Sequence, residues 1–222
     1  MSTFKVAIDG PAGAGKSTIA KTVAKELKIV YIDTGAMFRA VGLAAVRAGI
    51  DPKDKEAVEK ILDKIDIDIA HDDSGQRIFL NNEDVSEAIR MPEISVAASD
   101  VAVIGEVRAK LLELQRSLAE KNDVIMDGRD IGTHVLPNAN LKIFLTASVD
   151  ERAKRRYDEL VGKGIECDFE EVKRDIEYRD KNDSQREIAP LRPAEDGIIV
   201  DTTGNTLEES VAIMMKIISE GR

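Results

Sequence analysis

The residues with the clearest chemical meaning are the run GPAGAGKS at positions 10–17. It matches the pattern of a phosphate-binding loop, G-x-x-x-x-G-K-[ST]. The glycines let the backbone curl so that successive N–H groups point at one anion. The lysine supplies charge for the β- and γ-phosphates, and the serine offers a hydroxyl to Mg²⁺. The run consists of Gly10, Pro11, Ala12, Gly13, Ala14, Gly15, Lys16 and Ser17.

The setting of this loop supports the same interpretation. Residues 4–9 are apolar enough for a buried strand, and Ile19, Val23 and Leu27 recur at the spacing of a helix face. A helix that follows the loop points its positive end at the bound anion. We therefore predict that the loop and Thr18 bind ATP, with Mg²⁺ as the cofactor.

The other motifs do not support two classes of nucleotide-binding protein. A regulatory GTPase carries N-K-x-D for guanine, and this tetrapeptide does not occur in the chain. A mechanochemical ATPase places a glutamate after the aspartate of an apolar strand, whereas here Gly128 follows Asp127. Phosphate binding without a water-activating base favours a transferase, whose second substrate supplies the nucleophile.

Five arginines at the ends of predicted elements, or in loops after them, indicate the nature of the second substrate. Planar guanidinium groups make paired hydrogen bonds to phosphate oxygens, so a pocket with several of them suits a phosphate monoester. Any single exposed arginine is more often ordinary surface charge, and composition alone does not select these five. They are Arg39, Arg108, Arg129, Arg179 and Arg186.

The elements that must position these residues alternate between apolar runs and helical patterns. Such alternation favours a parallel sheet covered by helices on both faces. Thr206 and Glu209 form a capping-box pattern ahead of Val211, Met215 and Ile218, which share a predicted helix face. The predicted strands span residues 4–9, 29–33, 124–127, 141–146 and 198–201.

Two segments interrupt this alternation. Residues 65–69 and 77–80 are short β-like runs joined by the turn-rich link HDDSGQ, which predicts an inserted hairpin. Residues 151–163 are dense in charge and end in a pair of glycines, Gly162 and Gly164. Two interpretations of this stretch stay open: a solvated helix followed by a loop, or a mobile lid.

The composition excludes several classes of protein. The 222 residues, 43% of them hydrophobic and 33% charged, are enough for a substantial core. The formal charge of −10 argues against a nucleic-acid-coating protein. No apolar run approaches the roughly 18–20 residues of a membrane span, and the N-terminus lacks a secretory pattern. Because Cys167 is the single cysteine, we expect the protein in the reducing cytoplasm. We also expect a monomer, since nothing in the sequence demands a dimer, and no nucleic-acid or membrane partner.

Several longer segments carry a resemblance to a known family. IDGPAGAGKST, DTGAMFRA, DGRDIGTHVLPNANLKIFLTAS, RDKNDSQR and APL occur in consistent order between residues 4 and 201. Together they resemble the bacterial cytidylate (CMP) kinases. The resemblance implies an α/β fold of the nucleoside monophosphate kinase type, with a P-loop core, an acceptor-binding subdomain and a lid. The implied boundaries are 1–33, 109–150 and 165–222 for the core, 34–108 for the subdomain with a β insert at 63–100, and 151–164 for the lid.

The resemblance also implies roles for individual residues. The loop motif already predicts that Ser17 binds Mg²⁺. Asp127 either acts on the metal through water or organises the loop, and the same two interpretations apply, more weakly, to Asp33. The residues implied to be catalytic are Lys16, Arg129, Arg156 and Arg186. Arg152 and Arg155 on the lid are implied to bind ATP. For CMP, the implied contacts are Thr34, Arg39, Arg129 and Arg186 to phosphate, Arg179 and Asp183 to ribose, and Ser99, Arg108 and Asp130 to the base.

The pair formed by Arg108 and Asp130 is chemically suited to cytosine. An ionised Asp130 can accept from the exocyclic amino group while Arg108 donates to a ring acceptor. Uracil has a carbonyl in place of the amino group and would leave the carboxylate unpaired. We expect phosphoryl transfer from ATP to CMP or dCMP. The alternatives are another P-loop kinase acting on UMP, thymidylate or shikimate, and an ATP-binding module without catalysis.

Overall fold

The computed structural model describes residues 3–72 and 75–221, and eight strands occur within them. In chain order they are β1 (Lys5–Asp9), β2 (Val30–Asp33), β3 (Ile67–Asp72), β4 (Gly75–Leu80), β5 (Glu83–Asp84), β6 (Val124–Gly128), β7 (Leu141–Thr146) and β8 (Ile198–Asp201). Five of them form a parallel sheet in the order β2-β6-β1-β7-β8, while β3, β4 and β5 form a separate antiparallel sheet. The carboxyl ends of the parallel strands therefore meet at one edge of the main sheet.

Helices cover both faces of the parallel sheet. Within the described residues they are α1 (Lys16–Leu27), α2 (Thr34–Arg47), α3 (Lys55–Leu62), α4 (Pro92–Val101), α5 (Gly105–Glu120), α6 (Val149–Gly162), α7 (Phe169–Gln185) and α8 (Leu207–Glu220). A 3-10 turn spans Ala88–Arg90 and a π-helical turn spans Ile131–Val135. None of the helices in the described ranges is long and apolar enough to cross a membrane.

The central strands are buried on both faces, which explains their apolar sequences. On β1, Ala7 packs into the cluster formed with α2 and α5, whereas Val6 and Ile8 pack into the cluster formed with α1 and α8. β6 alternates in the same way, with Met126 on the first side and Ile125 on the second. Packing on both faces thus holds β1 and β6 in place, and with them the loops that follow their carboxyl ends.

The predicted α/β fold class is confirmed, and each strand of the main sheet was predicted to within one residue at either end. The predicted hairpin also forms, but its strands are longer than expected. β3 continues through Asp72 and β4 begins at Gly75, so most of the supposed link is strand, while residues 73–74 lie outside the described residues. The short strand β5 was missed because two residues carry no periodic pattern.

The capping box at the start of α8 is confirmed. Thr206 Oγ1 accepts from the N–H of Glu209 at 3.2 Å, and the Glu209 carboxylate accepts from the N–H of Thr206 at 2.8 Å. The predicted helix face is present: Val211 and Ile218 are buried, and Met215 is partly buried against the same cluster. The face also includes Met214, which is fully buried and which the sequence analysis did not name.

The charged stretch 151–163 forms most of α6. Its inner side is not solvated, because Ala153 and Leu160 pack against Val172 and Ile176 of α7. The predicted helix is therefore present. Its buried apolar side was not predicted, because most residues of the segment are charged. Movement of this helix as a lid stays a prediction.

Candidate active site

A cavity of about 590 Å³ lies at the carboxyl ends of β1, β2 and β6. The phosphate-binding loop lines one end. The start of α2, the segment after β6, and helices α4 and α7 line the other end, and residues of α6 and of the turn before α8 also contribute. Groups that are far apart in the sequence therefore share one space.

Glycines at three positions allow the loop to adopt its shape. Gly10 has φ 151°, and a Cβ there would lie 1.9 Å from the carbonyl oxygen of Leu145. Gly13 and Gly15 have φ of 73° and 85°, in the left-handed region that favours glycine. Gly15 is also the N-cap of α1, so the loop ends at the positive end of that helix.

Lys16 is buried at the base of the loop. Its Nζ donates to the carbonyl oxygen of Pro11 at 2.7 Å. Burial, together with the nearby Arg129, holds the pKa of Lys16 well below its ordinary value. Within residues 3–72 and 75–221 its hydrogen-bond partner is a neutral carbonyl, so an anion in the loop would be a better partner.

Ser17, Asp127 and Tyr31 form a chain of hydrogen bonds beside the loop. Ser17 Oγ donates to Asp127 Oδ2 at 2.8 Å, and the Tyr31 hydroxyl donates to Asp127 Oδ1 at 3.0 Å. Burial and the nearby Asp33 raise the pKa of Asp127 to about 6. The carboxylate thus stands next to the serine hydroxyl, and both residues line the cavity.

Asp9, at the end of β1, organises the segment that follows β6. Its two carboxylate oxygens accept from the N–H groups of Ile131 and Gly132 at 2.7 and 2.8 Å. Burial raises the pKa of Asp9 to about 6 in spite of these bonds. Sequence reasoning missed this residue, although a buried aspartate between an apolar strand and the loop was a signal for it.

The start of α2 places three polar residues on the cavity wall. Asp33 is the N-cap and accepts from the N–H of Ala36 at 3.0 Å, while its other oxygen pairs with Arg39 at 2.7 Å. Thr34 Oγ1 donates to the carbonyl oxygen of Asp127 at 2.8 Å. The carboxylate of Asp33 is thus engaged by the cap and by Arg39, as that of Asp127 is by Ser17 and Tyr31, and the roles of both aspartates beside a metal stay predictions.

Asp130 lies between two arginines. One carboxylate oxygen accepts from Arg108, and the other accepts from Arg186 Nη2 at 2.9 Å. All three side chains are buried. The Arg108 guanidinium also lies over the ring of Phe38, 5.6 Å from its centroid, and burial lowers the pKa of Arg108. The two residues that the sequence analysis paired are thus in direct contact.

A second carboxylate, Asp183 on α7, continues this network. Asp183 Oδ2 accepts from Arg129 Nε at 2.7 Å, and Ser99 Oγ of α4 lies 3.5 Å from Asp183 Oδ1. Burial opposes ionisation here, but Arg129 and Arg186 outweigh it and hold the pKa of Asp183 below its ordinary value. The acceptor end of the cavity is consequently built from alternating charges.

Arg179 has a buried Nε without a hydrogen-bond partner among the described residues, a feature that it shares with Arg39 and Arg108. Burial and the neighbouring Arg129 lower the pKa of Arg179 to about 10. A buried donor nitrogen on a side chain that lines the cavity is a group that an anionic ligand can satisfy.

The three arginines of α6 have different surroundings. Arg152 is buried and donates to the carbonyl oxygens of Ala147 and Ala12, both at 2.9 Å, and it pairs with Asp180 at 2.6 Å. It therefore joins the loop to α7 from behind. The predicted contact of Arg152 with ATP stays a prediction, and its donors are engaged elsewhere in this structure.

Arg155 and Arg156 face the cavity instead. Arg155 donates to the carbonyl oxygen of Thr202 at 2.7 Å and so fastens α6 to the segment after β8. Arg156 pairs with Glu159 of its own helix at 2.8 Å, a partner that a phosphate could replace.

Most of the predicted site residues line this cavity. They are Ala12, Gly13, Ala14, Gly15, Lys16, Ser17, Thr18, Thr34, Arg39, Ser99, Asp127, Arg129, Asp130, Arg155, Arg156, Arg179, Asp183 and Arg186. Four do not line it: Gly10, Pro11, Arg108 and Arg152. Lining residues that sequence reasoning did not assign to the site include Phe38, Arg90, Ser95 and residues 205–207 at the start of α8. Their local patterns do not indicate a site, because tertiary packing brings them to the cavity.

Comparison with known proteins identifies the family. The family model for cytidylate kinase matches residues 6–220. The chain belongs to the cytidylate kinase family. A cytidylate kinase of Caldicellulosiruptor bescii is 53% identical over 217 residues, which cover 98% of this chain and 96% of that protein. A cytidylate kinase of Leuconostoc mesenteroides is 53% identical over 218 residues, 98% of this chain and 97% of that protein. The family resemblance found in the sequence is confirmed.

Solved structures of low sequence identity support the fold. A gluconokinase from Sinorhizobium meliloti aligns with a TM-score of 0.51 at 12% identity, over 98% of this chain and 92% of that one. This likeness concerns the α/β arrangement alone.

Proposed function

We propose that this chain transfers the γ-phosphoryl group of ATP to CMP or dCMP, giving CDP or dCDP and ADP in pyrimidine nucleotide metabolism. The observation that carries the proposal is the single cavity, which has the phosphate-binding loop at one end and Asp130 between two arginines at the other. Membership in the cytidylate kinase family supports the same reaction. An ATP-binding module without a second substrate would have no use for the charged network at the far end.

The donor phosphates would bind at the loop. Lys16 would exchange the carbonyl of Pro11 for phosphate oxygens, and the exchange is favourable because a charge-assisted hydrogen bond replaces a neutral acceptor. The charge of Lys16 would then stay with the transferring group and stabilise the transition state.

The oxygen donors beside the loop fit Mg²⁺, which prefers oxygen ligands and keeps several waters. In residues 3–72 and 75–221, no cluster of three or more His, Cys, Asp or Glu side chains could hold a metal by itself. Ser17 would therefore bind the ion together with nucleotide phosphates, and Asp127 would act through water. When bound, Mg²⁺ neutralises charge on the phosphates.

The acceptor phosphate would lie among Thr34, Arg39, Arg129 and Arg186. The three arginines now pair with carboxylates, and these ion pairs would be shared with phosphate oxygens. The attacking oxygen of a nucleoside monophosphate is already anionic, so the reaction needs no general base. Catalysis would rest on in-line alignment and on neutralisation of charge, to which Arg156 would contribute from α6.

The nucleoside would occupy the remainder of this end. Arg179 and Asp183 would contact the ribose, and Ser99 and Asp130 the base. Arg108 does not line the cavity in this structure. It would contact the base only after its side chain moves into the cavity; in its present position it would act by holding Asp130.

A coupled assay of ADP release tests the proposed function. CMP should give rapid ADP formation, with UMP, thymidylate and shikimate much slower. A higher kcat/KM for any of the three than for CMP would overturn the substrate assignment.

Replacement of Asp130 by asparagine should weaken the choice of base. The amide can turn its NH₂ toward the carbonyl of uracil, and the charge-assisted bond to the cytosine amino group is lost. We expect kcat/KM for CMP to fall roughly tenfold to hundredfold and the CMP-to-UMP ratio to shrink. Asp158→Asn, on the exposed side of α6, is the matched control. An unchanged ratio in Asp130→Asn would show that this aspartate does not read the base.

We propose that the parts around the cavity close when both substrates bind. The core, the acceptor-binding subdomain at 34–108 and the lid at 151–164 each contribute arginines, which must converge on two phosphate groups. Small-angle X-ray scattering should therefore give a smaller radius of gyration with a bisubstrate analogue than without it. Identical profiles would count against closure.

A further inference from the structure

The strand that leads into the acceptor end of the cavity is an edge strand. β2 pairs only with β6 among the described strands. The outer side of such a strand presents unpaired backbone N–H and C=O groups. In this chain the inserted β3–β4 hairpin reaches that side.

Two side chains of the hairpin bind the outer edge of β2. His71 and Gln76 are directly opposite each other on β3 and β4, so their side chains extend from the same face of the hairpin. His71 Nε2 lies 2.9 Å from the carbonyl oxygen of Tyr31 and donates to it in the tautomer protonated on Nε2. The hairpin therefore contacts the outer edge of β2 at Tyr31, through His71, and at Asp33, through Gln76.

Gln76 makes the more specific contact, because its carboxamide binds both backbone groups of one residue. Gln76 Oε1 accepts from the N–H of Asp33 at 2.8 Å, and Gln76 Nε2 donates to the carbonyl oxygen of Asp33 at 3.1 Å. A primary amide is the side chain that can make this donor–acceptor pair without a charge. The backbone of Asp33 is thus held as if by a neighbouring strand.

The position of Asp33 determines two parts of the acceptor site. Its carboxylate caps α2 and pairs with Arg39, and Thr34 is the next residue. This pair packs tightly over Gly35, where a Cβ would lie 3.1 Å from Asp33 Oδ1 and 3.2 Å from Arg39 Nη1. Because Asp33 and Arg39 are joined by an ion pair of 2.7 Å, a shift of Asp33 would also displace Arg39.

We propose that Gln76 is a positioning residue for the acceptor phosphate, through which the inserted hairpin holds Asp33, Thr34 and Arg39 in register. This inference rests on the proposed function. Gln76 does not line the cavity and touches neither the phosphate-binding loop nor Lys16 in the described contacts. Loss of the Gln76 side chain should therefore weaken binding of the acceptor, CMP, and leave binding of the donor, ATP, unchanged.

Steady-state kinetics of Gln76→Leu and Gln76→Glu test the proposal. The glutamate keeps the shape of the side chain but cannot donate to the carbonyl oxygen of Asp33. We expect KM for CMP to rise about tenfold in both variants, with KM for ATP within about twofold of wild type. The matched control is Arg77→Gln, because the ion pairs that Arg77 makes among the described residues are with Asp72 and Asp84, both inside the insert. Both KM values should be unchanged in that control.

Three results would overturn the proposal. Both Gln76 variants could keep the wild-type KM for CMP, or both KM values could rise together, as in a loss of global structure. The third is an Arg77→Gln enzyme with the same defect as the Gln76 variants, which would assign the effect to insert stability. If wild-type protein releases no ADP with CMP, the proposed function falls, and this inference with it. An active wild type with unaffected Gln76 variants would overturn the inference alone.

Discussion

Lys16→Ala should lower kcat by about 10²- to 10³-fold without unfolding the protein. The lysine makes its hydrogen bond to the carbonyl of Pro11, and burial together with Arg129 disfavours its charged form by lowering its pKa. Removing it therefore costs the fold little and removes charge at the transferring phosphoryl group. The measurements are kcat under saturating ATP and CMP and the thermal melting curve.

Lys25→Ala serves as the control for this experiment. Lys25 lies on the same helix and is exposed, so the loss of a lysine from α1 is matched without loss of the phosphate contact. Its kcat should stay near that of wild type. A Lys16→Ala enzyme with near-normal turnover would remove this residue from the catalytic role.

Arg179→Leu should separate activity from stability. Burial and Arg129 already disfavour the charged form of Arg179, and its Nε lacks a partner among the described residues. The isolated fold should therefore lose nothing, and the melting temperature without ligand should stay equal or rise. Activity should fall strongly, with kcat/KM for CMP down about 100-fold, because an arginine is lost from the nucleotide site.

The control for this variant is Arg174→Leu, an exposed arginine on the same helix, which should keep wild-type kinetics. A clear drop in the ligand-free melting temperature of Arg179→Leu, with kcat/KM unchanged, would contradict the account. That outcome would make Arg179 a structural residue and leave the acceptor end with one fewer ligand-directed group.

The order of strands and helices could be predicted because each main-sheet strand carries its own burial pattern. β7 alternates buried and half-buried residues, and β1 is apolar because both of its faces are covered. The loop could be predicted because its glycines are required by local backbone geometry. The two-residue strand β5 could not, since its existence depends on β4 beside it.

The hydrogen-bond and ion-pair partners of polar side chains could not be predicted from the sequence, for a different reason. Arg152 and Arg156 lie on one helix and look alike in the sequence, yet packing against α7 and the loop buries the first and leaves the second at the cavity. Gln76 and Asp33 are 43 residues apart and meet only because the hairpin folds back on β2. Such contacts are products of tertiary structure, and no periodicity encodes them.

Label transfer from [γ-³²P]ATP to CMP in the presence of Mg²⁺ tests the central claim most directly. The account predicts that the label appears in CDP, in an amount equal to the ADP formed. Without CMP, neither labelled CDP nor ADP should form. Label found as inorganic phosphate without labelled CDP would contradict the account, since it would mean hydrolysis. Retention of all label in ATP would equally contradict it, since the cavity would then bind nucleotide without transfer.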